Sequence, residues 1–89
     1  MTPTHTRGDT LKQQQRLLAI LKKMSPMPHE NKLPPQETWT STRQLAEASN
    51  IGIYRTRYLL LGMVKKKKIL VTERAVNHSL RWFPTKFPD

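Results

Sequence analysis

The side chains able to do chemistry gather in one stretch, NIGIYRTRYLLLGMVKKKKILV, from Asn50 to Val71. Tyr54, Arg55, Arg57 and Tyr58 lie close together near its start, and Lys65, Lys66, Lys67 and Lys68 follow near its end. Their chemistry is that of recognition. Arginine offers two parallel donors that match a guanine edge, tyrosine donates to a phosphate or packs on a thymine methyl, and a lysine run holds phosphate whatever the sequence. No acid lies between Ala48 and Thr72 to neutralise this stretch. Arg43 precedes it, and Arg74, Asn77 and His78 follow with groups suited to phosphates or the minor groove. Catalysis finds no matching set of residues. His5, His29 and His78 are far apart, no pair has the helical spacing of metal ligands, and there is no glycine-rich phosphate loop. The expectation is a binding protein, not an enzyme, without cofactor or metal.

Composition agrees with that. Sixteen Lys/Arg against six Asp/Glu leave a formal charge of +10, which attracts a polyanion and makes copies of the chain repel one another. A chain of 89 residues makes one small domain. Such a domain buries only about 60% of its unfolded surface, too little for a core and a deep substrate cavity together. The absence of cysteine excludes a disulfide framework and thiolate metal sites, and is compatible with a reducing compartment. The longest apolar run, Leu17 to Leu21, falls far short of the ~20 residues of a membrane span, and the polar start lacks a signal-peptide core. A cytoplasmic protein that does not enter membranes is expected.

The elements that must position these residues are legible in outline. Leu11, Leu17, Leu18, Ile20, Leu21 and Met24 recur with helical period, Asp9 or Thr10 can cap the start, and Pro26 and Pro28 stop the helix. A proline-rich loop over 25–38 follows, longer than the usual connection of about 2–8 residues and therefore functional or mobile. Ser41 and Gln44 have the spacing of a capping box, opening a short helix whose buried side is Leu45, Ala46 and Ala48. Asn50 tolerates the left-handed backbone of a tight turn, Ile51 plugs it, and a further helix runs from Gly52 or Ile53 to about Lys66. Thr56, Leu59, Leu60 and Met63 form its inward face. Two β-type runs, 69–73 and 79–83, can pair as a hairpin, with Trp39-Thr40 as a third short strand and Trp82 and Phe83 as core and rim. The fold class expected is α+β, mostly helical: a winged helix-turn-helix of three helices plus a C-terminal β-hairpin wing. It spans 9–83, between an N-terminal arm at 1–8 and a tail at 84–89.

The segment TRQLAEASNIGIYRTRYLLLGMVKKKKILV, followed by HSLRWF, resembles the FaeA/PapI-like family of small bacterial fimbrial regulators. The resemblance covers Thr42 to Phe83 and rests mainly on Tyr54-x-x-Arg57-Tyr58-Leu59-Leu60 and on the closing Trp82-Phe83. It implies a winged-helix regulator of pilus or adhesin genes, acting in phase variation. The family's partner is the leucine-responsive regulatory protein, which it helps onto methylatable operator sites. Tyr54, Arg57 and Tyr58 would then face double-stranded DNA or the partner bound there. The proline loop and the polar N-terminal arm depart from the family pattern and leave other virulence, plasmid or phage operons open. Two other readings compete: a winged-helix protein-interaction module anchored by Tyr54 and Tyr58, and an RNA-binding basic protein.

Overall fold

The central helix of the chain begins where the serine–glutamine pair puts it. In the computed structural model, which describes residues 7–30 and 32–86, Ser41 Oγ accepts the Gln44 amide at 3.1 Å and Gln44 Oε1 accepts the Ser41 amide at 2.9 Å. Two of the free amides at the helix start are thereby satisfied by one reciprocal contact. In chain order the elements are α1 (Arg7–Met24), a short 3-10 turn (Gln36–Thr38), β1 (Thr40–Ser41), α2 (Thr42–Ser49), α3 (Ile53–Lys65), β2 (Ile69–Val71) and β3 (Arg81–Pro84). The strands form one antiparallel sheet in the order β1-β3-β2. This is the winged helix-turn-helix arrangement.

The core joins the three helices to the sheet. Leu17 and Leu21 of α1, Leu45 of α2, Leu59, Leu60 and Met63 of α3, Ile69 and Trp82 make one buried cluster. The Trp82 indole donates to Thr42 Oγ1 at 2.8 Å, so the largest core side chain is also satisfied as a polar group. Trp82 and Phe83 point to opposite faces of β3, yet both are buried, where a core and a rim residue were expected. Trp39 is the reason. Its ring stacks on Phe83 with centroids 5.3 Å apart, and its Nε1 donates to Pro34 O, so the proline loop folds over the second face of the sheet.

Several boundaries differ from the sequence expectation. Helix α1 starts at Arg7, which leaves Asp9 in the first turn, where its carboxylate complements the helix dipole, and not at the cap. Leu11 and Met24, expected on the apolar side of α1, are exposed. Gln14 is buried in their place, and its Nε2 donates to Leu59 O at 3.1 Å. Gly62 makes that approach possible, since a Cβ there would stand 2.8 Å from Gln14 Nε2. In α2 the buried side is Thr42, Leu45, Ala46 and Ser49, and Ala48 is exposed. The first hairpin strand stops at Val71, because Thr72 turns its hydroxyl to accept the Arg81 amide, and the second extends to Pro84.

Candidate nucleic-acid interface

Helix α3 is aimed by the turn before it. Asn50 takes the left-handed conformation (φ 58, ψ 37) and donates to Glu47 O, while Ile51 donates to Ala46 O. These two bonds are a Schellman closure, which ends α2 with its last carbonyls satisfied. Ile51 packs against the core, and α3 then runs with Thr56, Leu59, Leu60 and Met63 buried. The opposite stripe is open to solvent. Tyr54 is 86% exposed, Tyr58 64% and Leu61 39%, and Lys65 continues the same i, i+4, i+7, i+11 row.

Beside this row lies a cleft of about 200 Å³ between α3 and the wing, lined by Ile53, Tyr54, Arg57, Thr42 and, from the wing, His78, Ser79 and Leu80. The structure therefore brings together Tyr54, Arg57 and His78, which are up to 24 positions apart in the chain. The wing tip is a two-residue hairpin turn. Val76 and Ser79 exchange backbone hydrogen bonds, and Asn77 and His78 both have positive φ, 53 and 71, the signature of a type I′ turn. Asn77 and Arg74 are exposed on the wing. Arg81 braces its base, with Nε donating to Val76 O and NH1 to Trp39 O. Arg43 is exposed on α2, along a shallow surface shared with Ile51 and Ile53 at the start of α3.

Arg55 takes a different place from the open, groove-facing one expected. Its Nε and NH2 donate to Gln13 Oε1 at 3.1 and 3.0 Å, NH2 also donates to Thr10 Oγ1, and the guanidinium lies 5.5 Å from the Tyr58 ring centroid. It straps α3 to α1 and supports Tyr58 from behind.

The lysine run does not act as one unit either. Lys65 ends α3 on the exposed row, whereas the chain turns at Lys66 and Lys67. Lys67 takes φ 61, donating to Val64 O, and Lys68 donates to Met63 O, a second Schellman closure. Lys66, Lys67 and Lys68 consequently line a separate cleft of about 300 Å³ with Leu18, Lys22, Thr85 and Lys86. Lys22, Lys86 and the bracing Arg81 escaped sequence reading because nothing local sets them apart; only the fold assembles them. Among the described residues no group of His, Cys, Asp and Glu could hold a metal ion, and no helix is long and apolar enough to cross a membrane.

The architecture thus defines a winged helix-turn-helix with a basic, aromatic cleft between its last helix and its wing. No protein-family model, curated protein or solved structure matches the chain.

Proposed function

We propose that this protein is a sequence-reading regulator of transcription that binds double-stranded DNA through the α3–wing cleft. The observation that carries the reading is the convergence of Tyr54, Arg57 and His78 on one open cleft, with Arg43 on α2, Lys65 at the end of α3 and Arg74 on the wing all exposed. Helix α3 enters the major groove with its N-terminal half, Arg57 meets a base edge, and the wing holds the adjacent backbone through Arg74, Asn77 and His78. Arg43 and Lys65 take flanking phosphates. A single module of this kind buries roughly 600–1,000 Å² on DNA, which calls for a second DNA-bound protein to sharpen its choice of site. The resemblance to fimbrial regulators supplies the candidate, the leucine-responsive regulatory protein, together with a cytoplasmic setting and adhesin or pilus genes as targets.

The test is selection from a random duplex pool at two salt concentrations, with and without that partner, for the wild type and Arg57→Ala. Enrichment of one motif by the wild type, with loss of about 1–3 kcal/mol of specific binding in the variant, supports the proposal. Binding that ignores salt and sequence would shift the reading to a protein surface built on the Tyr54–Tyr58 row.

A further inference from the structure

We propose that the lysine cleft at the far end of α3 is a second phosphate-binding surface, which holds a duplex other than the one in the α3–wing cleft. One molecule would then bridge two DNA segments. The inference rests on the α3–wing cleft being a DNA site.

The cleft collects Lys22 from α1, Lys66, Lys67 and Lys68 from the turn after α3, and Lys86 from beyond β3, with no acid lining it among the described residues. It is a built feature. Thr85 pins the turn, its amide and hydroxyl donating to Lys68 O at 3.2 and 2.9 Å and its hydroxyl also reaching Lys67 O at 3.1 Å. Lys67 occupies the left-handed position of the helix closure, where glycine is the unstrained choice. A lysine there keeps a charge in the cleft against the preference of its own backbone, and strain of that kind points to use.

Position separates this cleft from the first. Lys65 ends the exposed row beside the first cleft, and beyond it the chain turns at Lys66 and Lys67 toward Leu18 and Lys22 of α1. The lysine cleft also opens on the α1 side, bounded by Leu18 and Lys22, whereas the other opens on the wing side, bounded by His78 and Leu80. A duplex seated against Tyr54 and Arg57 leaves these lysines facing outward, with four-carbon stems that suit a backbone of variable sequence.

The experiment immobilises the duplex enriched by the wild type and measures capture of a second, labelled duplex of unrelated sequence. The variant joins Lys66→Gln, Lys67→Gln, Lys68→Gln and Lys86→Gln, and its fold is verified by circular dichroism. The expected result is that capture of the second duplex falls at least about tenfold while affinity for the first falls less than about threefold. Equal loss of both would overturn the proposal, because the lysines would then belong to one continuous surface. Undiminished capture would also overturn it, since a second copy of the protein would be doing the bridging. Arg57→Ala distinguishes failure of the underlying reading: if it spares binding of the first duplex while the lysine variant abolishes it, the α3–wing cleft is not the DNA site.

Discussion

Arg55 and Arg57 stand two positions apart and have opposite occupations. Arg57 is exposed beside the wing, whereas the donors of Arg55 are spent on Gln13 and Thr10. Arg55→Ala therefore removes a tie between α1 and α3 and costs about 1 kcal/mol of stability, which urea denaturation will register as a lower midpoint at unchanged slope. Arg57→Ala leaves that midpoint in place and weakens duplex binding. The contrast is a property of the fold, because in sequence both are basic residues on one turn of a helix. A second residue-scale test concerns Thr42, whose hydroxyl oxygen accepts from the buried Trp82 indole and donates to Leu80 O. Thr42→Val keeps the shape and strands the indole N–H, so a loss of about 1–3 kcal/mol is expected. For a domain of this size each kcal/mol lowers the melting temperature by roughly 4–8 °C, within easy reach of calorimetry.

At the scale of elements, the turns decide where the helices point. Asn50 and Lys67 hold equivalent places in two successive helix closures, and their side chains differ in how well they suit it. Asn50→Ala should destabilise by about 1 kcal/mol, and Lys67→Gly should stabilise by a similar amount, both read from thermal unfolding. The wing offers the same separation of stability from function. His78 sits at positive φ in a type I′ turn, so His78→Gly relaxes the turn while removing a side chain from the α3–wing cleft. A higher melting point with weaker duplex binding is the expected pair of results. These features also show why sequence reading reached some elements and missed others. The capping box, the Asn50 turn and the inward row of α3 depend on residues within four or five positions of one another, and all were legible. The pinning of the lysine turn by Thr85, the rotation of Arg55 onto α1, the burial of Gln14 and the early end of β2 depend on partners 9 to 45 positions away. No local pattern encodes those contacts.

For the whole molecule, the +10 charge is less informative than its division between two ends. On the proposed function a duplex in the α3–wing cleft would meet Arg43, Arg57, Lys65 and Arg74, whereas Lys22, Lys66, Lys67, Lys68 and Lys86 surround the other cleft. Counterion release makes this division measurable. If three of the first four cations reach phosphates while Arg57 reads a base, log K for a short duplex should fall against log salt with a slope of about −3, each neutralised phosphate contributing about −0.9. Were the cations of both clefts engaged by one duplex, the slope would approach roughly −7. Arg74→Gln should make the shallow slope shallower by about 1 without changing which sequence is preferred, whereas Arg57→Ala should flatten the preference and leave the slope nearly unchanged. A titration of one short duplex over several salt concentrations separates the two contributions. A steep slope from the wild type would mean that both ends of α3 grip the same DNA.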